Sequence, residues 1–258
     1  MSEGDEIRII GIAGIPEVAP GVDLPTVIGD AIVASGAGLE LGDIVVVTHK
    51  IVSKAEGRIV DLGTIEPSIL AQGFAARWDK DPRKIEVVLR EAHRIVRMHK
   101  GLIIAETAHG FVCANAGVDA SNASPDSVVL LPANPDSSAA ALRDALAQRF
   151  GLSGRDIPAV IVSDSFGRPW RDGIVNVAIG VSGIAPLIDY RGHADAAGYE
   201  LSASVLAVAD EVASAAELVM HKLAGRPVAI VRGYRAPLAA TPGTGRDLIM
   251  GEERDLFR

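Results

Sequence analysis

The sequence predicts an α+β or mixed α/β protein with antiparallel and mixed sheets, neither a Rossmann fold nor a P-loop fold. Three observations carry this expectation. Short β-branched runs, "EIRIIGI", "DIVVVTHKIV" and "PVAIVRGY", are bounded by turn residues and read as buried strands. Strand hairpins are mixed with separated helices, which points away from a regular doubly wound sheet. The Walker pattern G-x-x-x-x-G-K-[ST] is absent, although "TPGTGRDL" and "GAGLELG" are Gly-rich.

The elements follow in order. "EIRIIGI" is the first strand, and "LPTVIGDAIVASGAG" has helical spacing with a Gly-rich exit. "DIVVVTHKIV" is a second strand. "DPRKIEVVLREAHRIVRMHKG" predicts one long helix, with Asp81 as N-cap, Pro82 at the first helical position and Gly101 after a basic end. Its apolar stripe is Ile85, Val88, Leu89, Ala92, Ile95 and Val96. "GLIIAET" and "HGFVCANAG" pair as a hairpin, and "SVVLLP" is a further strand. "PDSSAAALRDALAQRFG" starts at Pro135 and ends at Gly151 as a helix, and "PAVIVSDS" is a strand that stops on charge. "GIVNVAIGVSGIAPLIDYRG" is extended, "ELSASVLAVADEVASAAELVMHKLAG" is a long helix, and "PVAIVRGY" is a late strand before an irregular tail. We expect one unit over residues 1–258, with a smaller lobe in the middle third.

Bulk composition narrows the class. The chain has 258 residues, 48% of them hydrophobic and only 4% aromatic, with a mean hydropathy of +0.28. That composition suits an Ala/Gly-rich globular protein. No apolar run reaches the ~18 residues of a membrane span, and "MSEGDEIRII" is too acidic for a signal peptide. Cys113 is the single cysteine, which rules out an internal disulfide and fits a reducing cytoplasm. A net charge of -8 argues against a nucleic-acid partner, while leaving room for a local basic pocket.

Four stretches carry candidate chemistry. In "NAGVDASN", Asp119, Ser121 and Asn122 suit either a plain turn or a hard-cation site. "VSDSFGRPWRDG" ends a buried strand on Asp164 and Ser165, a carboxylate and hydroxyl fit to hold Mg²⁺ or Mn²⁺. Arg168 and Arg171 follow, and guanidinium groups match carboxylate or phosphate bidentately. The plainer alternative is a loop whose arginines pair with its own aspartates. "THKIVSKAEGR" offers Lys50 and Lys54 as a phosphate-binding edge or as solvated charges, with His49 a proton carrier or a surface residue. "DYRGHADAAGYE" places Asp189 and Asp195 among glycines, for metal or for turns. On the helix that follows, Asp210 and Glu217 are two turns apart and read as a solvated acidic stripe with Glu211.

Taken in order, "GIPEVAPGVDL", "VVVTHKIVSKAEGR", "HGFVCANAGVDASN", "SDSFGRPWRDG", "GVSGIAPLIDYRGHADAAGYEL" and "ADEVASAAELVM" closely resemble the coenzyme F-420 gamma-glutamyl ligases, from about residue 9 to 235. The resemblance implies a mixed α/β fold of the family's own type, a cytoplasmic homodimer and no membrane or nucleic-acid partner. It implies GTP-dependent addition of L-glutamate to the F-420-0 precursor, with gamma-linked elongation, through an acyl phosphate. Two divalent cations, Mn²⁺ or Mg²⁺, and K⁺ are implied as cofactors. By motif, Asp119, Asp164 and Ser165 match the family's metal positions. Ile15, Pro16, Glu17, Val18, Lys54 and Asn122 match its GTP contacts, and His49 stands at a nucleotide-contact position where relatives carry a hydroxyl. "LVMHKLAG" lacks a glutamine that some archaeal relatives use as a metal ligand. Arg168 and Arg171 are assigned to anionic substrate or phosphate by their place beside Asp164. No C-terminal reductase-like domain is expected. A metal-dependent phosphohydrolase and a non-catalytic deazaflavin- or nucleotide-binding protein are the competing readings.

Overall fold

The computed structural model describes residues 6–122, 124–154, 157–236 and 241–255. In chain order the elements are β1 (Arg8–Ile12), α1 (Leu24–Ser35), β2 (Ile44–Thr48), α2 (His49–Ala55), β3 (Ile59–Asp61), α3 (Ile69–Trp78), α4 (Pro82–Glu91), β4 (Ala92–His99), β5 (Leu102–Thr107) and β6 (Val112–Ala114). They continue as β7 (Ser127–Val129), α5 (Pro135–Arg149), β8 (Ala159–Arg168), β9 (Arg171–Ser182), β10 (Ile188–Asp189), β11 (Val205–Leu206), α6 (Val208–Met220) and β12 (Val228–Arg232).

The main sheet runs β1-β12-β2-β8-β9; β2 and β8 are parallel and the other neighbours antiparallel. The architecture is therefore α+β with a mixed sheet. Both faces are covered, which is why these strands read as unbroken apolar runs. Val45, Val47, Val160 and Val162 face the cluster built with α1, α2 and α5, through Ile28, Ile32, Ile51, Val52, Leu142 and Leu146. Ile44, Val46, Ala159 and Ile161 face the opposite way and pack on Val212, Ala213 and Ala216 of α6. Alternate residues of one strand thus feed two cores, the period-2 rule of an extended chain. Gly180 is required where β9 meets α5: a Cβ there would stand 2.3 Å from the Pro135 carbonyl oxygen.

The middle third folds around clusters of its own. Ala71, Ala75, Ile85, Val88, Ile103 and Ala105 join α3, α4 and β5, while Leu62, Val87, Val128 and Leu130 sit under the β3–β7 pair.

Three sequence expectations are corrected here. The long helix over 81–101 stops at Glu91, and residues 92–99 form β4, antiparallel to β5. The reason is the turn: Lys100 and Gly101 both have positive φ (49° and 74°), and they close a two-residue hairpin between His99 and Leu102. Ile95 and Val96, counted on a helical stripe, are instead 39% and 37% exposed on that strand. Asp81 and Pro82 do start the helix as expected, the Asp81 carboxylate accepting from Arg83 N–H at 2.9 Å. The strand "DIVVVTHKIV" ends at Thr48 and turns directly into α2. The last long helix is confined to Val208–Met220. Of the irregular tail, residues 237–240 and 256–258 lie outside the described residues.

The acidic stripe on α6 is also corrected. Asp210 accepts the Ala178 N–H at 2.8 Å, and Glu217 accepts from Asn176 Nδ2 at 3.0 Å, so both reach into β9 while Glu211 stays exposed. Burial pushes the Asp210 carboxyl above its ordinary 3.8, against the Ala178 N–H. A raised folded-state value means that stability is full below the unfolded value and falls as pH rises through the folded one. Asp210→Asn keeps the Oδ1 acceptor and removes the charge. It is expected to raise stability at pH 7, with the gain vanishing below about pH 3.8. Urea unfolding of both proteins at pH 7 and pH 3 checks the sign.

Candidate active site

The parallel pairing of β2 with β8 stops where β2 ends, at Thr48 in register with Ser163, while β8 runs on to Arg168. The end of this parallel pair delivers chemistry to one place, the usual location of a site in a sheet with parallel strands. Beyond Thr48 the chain enters α2, where Lys50 and Lys54 are four residues apart and share a face. Beyond Ser163 come Asp164 and Ser165. The loop before α1 completes the mouth: Ile15 packs on the core and Val18 is buried, leaving Pro16 and Glu17 exposed at the rim.

A cavity of about 380 Å³ is lined by Ile15, Pro16, Glu17, Val18, Lys54, Asn122, Asp164 and Ser165, together with Lys50, Ser163, Asn176, Glu217, Lys222 and Arg226. A second chamber of about 800 Å³ shares Glu17, Val18, Lys54 and Asn122 with it. The first volume is within the usual range for small-molecule sites. Four cationic side chains, Lys50, Lys54, Lys222 and Arg226, share its wall with three carboxylates, Glu17, Asp164 and Glu217.

The contacts are specific. Lys54 is 6% exposed, with its stem in the wall and its ammonium on the Glu17 carboxylate. Lys50 Nζ lies 2.7 Å from Asp119 Oδ2 and donates to Ser121 Oγ at 2.5 Å, so Asp119 joins the cavity through Lys50. Burial pushes the Asp119 carboxyl up, but the Lys50 ammonium and the Ser121 N–H outweigh it and hold the group below 3.8. Asp164 Oδ1 accepts the Ser165 N–H at 2.6 Å. Ser165 Oγ donates to Asn176 Oδ1 at 2.8 Å and accepts from Lys222 Nζ at 2.6 Å. Asn176 in turn reaches Glu217, which ties α6, β8 and β9 into one polar network.

His49 is 1% exposed and is not on the cavity wall. Its Nε2 stands 3.2 Å from Asp164 Oδ1, off the line of a hydrogen bond, and Nδ1 is 3.3 Å from Ser53 Oγ. Burial, with a contribution from the Asp164 charge, pushes the Cys113 thiol up to about 12. A thiol held protonated in this way is a poor nucleophile.

A family model for F-420-0:gamma-glutamyl ligase matches residues 13–233. The chain belongs to that family. It is 47% identical over 245 residues to coenzyme F-420:L-glutamate ligase of Methanopyrus kandleri, covering 94% of each chain. It is 43% identical over 253 residues to the enzyme of that name from Methanothermobacter thermautotrophicus, covering 98% of this chain and 99% of the relative. Against the Methanocaldococcus jannaschii enzyme it is 46% identical over 221 residues, 85% and 86% of the two chains.

In this gamma-glutamyl ligase family member, not every candidate residue meets at the cavity. Arg168 and Arg171 pair across the end of the β8–β9 hairpin, where Arg168 Nη2 donates to the Asp172 carbonyl at 2.9 Å. Arg168 stands four positions along the strand from Asp164, roughly 13 Å, and neither arginine lines the cavity. Asp189 is held by Arg191 two residues on, at 2.5 Å, and Asp195 accepts the N–H groups of Ala197 and Tyr199 at 2.8 Å. Turn chemistry accounts for both.

The ligase fold also brings in residues that sequence reasoning passed over: Ser163, Asn176, Lys222 and Arg226. Asn176 becomes visible only through the register that sets it opposite Ser165. For Lys50 the signal was present, as the i,i+4 partner of Lys54 once residues 49–55 are read as a helix. Among the described residues no three His, Cys, Asp or Glu side chains converge tightly enough to enclose a metal. The oxygen donors at the wall, from Asp164, Ser163, Ser165 and Glu217, still suit a hard cation that keeps part of its shell from water or phosphate. No helix among the described residues is long and apolar enough to cross a membrane.

Proposed function

We propose that this chain adds L-glutamate to the F-420-0 precursor, with gamma-linked elongation, at the expense of GTP. The observation that carries the reading is the cavity at the end of the β2–β8 pairing, which joins a buried lysine, a carboxylate–hydroxyl pair and further cationic side chains, Lys222 and Arg226. A terminal carboxylate of the precursor attacks the γ-phosphorus of GTP, forming an acyl phosphate and releasing GDP. The glutamate amine then attacks the acyl carbon, loses a proton, and displaces inorganic phosphate as the amide forms. Such a reaction brings two anions together, and positive charge at fixed positions is what lowers its barrier.

In this proposal Lys54 neutralises the nucleotide phosphates, with Asn122 and the Ile15–Val18 backbone orienting the nucleotide. Asp119, Asp164 and Ser165 hold the divalent cations, Mn²⁺ or Mg²⁺, which supply Lewis-acid stabilisation of phosphoryl oxygens when bound. Lys50 must then give up Asp119. K⁺ as an activator, a cytoplasmic location and a homodimer complete the proposal. The anion role expected of Arg168 and Arg171 passes to Lys54, Lys222 and Arg226, which line the cavity.

Incubation with F-420-0, GTP, Mn²⁺ and L-glutamate, read by mass spectrometry, tests this. Products heavier by whole glutamyl units with matching GDP release are the expected result. Loss of GTP without a glutamylated product would instead establish a phosphohydrolase, and binding without turnover a non-catalytic binder.

A further inference from the structure

We infer that Ser163 is a binding residue of the cavity, donating its hydroxyl to a phosphoryl oxygen of the nucleotide; this rests on the GTP reading above. Ser163 lies in β8 in register with Thr48 and is 1% exposed, yet it lines the cavity. Its Oγ is buried and has no hydrogen-bond partner among the described residues. The adjacent polar groups are already engaged. Ser165 Oγ is shared between Asn176 and Lys222, and Asp164 takes the Ser165 N–H and faces His49.

Buried hydroxyls are almost always paired, because leaving water without a new partner is costly. A ligand entering the cavity would supply the missing partner. The wall explains which kind. Lys50, Lys54, Lys222 and Arg226 share it with Glu17, Asp164 and Glu217, a mixed lining that suits an anion carried in with a cation, and phosphoryl oxygens accept hydrogen bonds without donating any. A serine at the end of the β2–β8 pairing, with its donor free, completes such a site without adding charge.

The test uses Ser163→Ala, and Ser163→Cys as a variant of similar shape with a weak donor. Without ligand, the Tm of Ser163→Ala is expected to equal or exceed that of the wild type, since an unpaired hydroxyl is removed. With Mn²⁺ and GTP, calorimetric titration is expected to show affinity weaker by roughly tenfold to a hundredfold, the range for a hydrogen bond to a charged group. Ser163→Cys should follow Ser163→Ala. Equal GTP affinity in the wild type and both variants would overturn the inference. A lower Tm in the absence of ligand with unchanged GTP affinity would make the hydroxyl structural and overturn it too. Weaker binding of Mn²⁺ alone, with the GTP increment intact, would make Ser163 a cation ligand and overturn the anion assignment. Failure of the wild type to bind GTP at all would remove the nucleotide reading, and the inference with it.

Discussion

Asp164→Asn is expected to lower glutamate-ligation turnover by roughly a thousandfold, the rate equivalent of about 4 kcal/mol of lost transition-state stabilisation. Asp164 is a carboxylate on the cavity wall, as Asp119 is not, with Ser165 beside it and Asn176 and Glu217 behind Ser165. The asparagine oxygen still accepts the Ser165 N–H, which the native Oδ1 takes at 2.6 Å. The local backbone should therefore hold, and because the change is near-isosteric the variant should remain folded under assay conditions, which circular dichroism checks. Turnover at limiting Mn²⁺ is the decisive measurement. A rate near that of the wild type under those conditions removes Asp164 from the metal-binding set.

Lys54→Met is expected to weaken GTP binding by roughly tenfold to a hundredfold, as charge-assisted contacts to phosphate are lost. Methionine fills the space of the buried lysine stem, so packing against the wall is largely kept. The partner left behind, Glu17, is 82% exposed in its side chain and stays solvated, so little stability should be lost. The effect should appear in GTP affinity and KM more than in the unfolding midpoint. Unchanged GTP affinity and rate would take Lys54 out of the site.

How far the sequence reached differs from element to element. The buried strands were legible because β-branched runs covered on both faces have few other places to go. Helix α5 was legible at its start, where Pro135 opens the first turn; the structure adds the cap, the Asn134 side chain accepting the Ser137 N–H at 3.0 Å. Residues 92–99 were not, since their apolar spacing suited a helix, and the deciding signal was two turn residues, Lys100 and Gly101. Local periodicity lost there to the pairing of β4 with β5, a contact between separate segments.

The site divides along the same line. Asp119, Asp164, Ser165, Lys54 and Asn122 stood out because their residue types carry chemistry and their neighbours resemble a family. Arg168 and Arg171 stood out for the same reason, but proximity in sequence to Asp164 did not bring them to the cavity. An extended strand carries a residue four positions on roughly 13 Å away.

By itself, then, the sequence determined what is local: strand-forming runs, helix starts, the family, and the residue types able to handle phosphate and a hard cation. Only the tertiary structure decided which of them meet. The parallel pairing of β2 with β8 sets Thr48 beside Ser163. The β8–β9 register sets Asn176 on Ser165, and α6 brings Glu217 to the same network. Those contacts join positions far apart in the chain, and burying both sheet faces is what selects them, so no short stretch of sequence contains them.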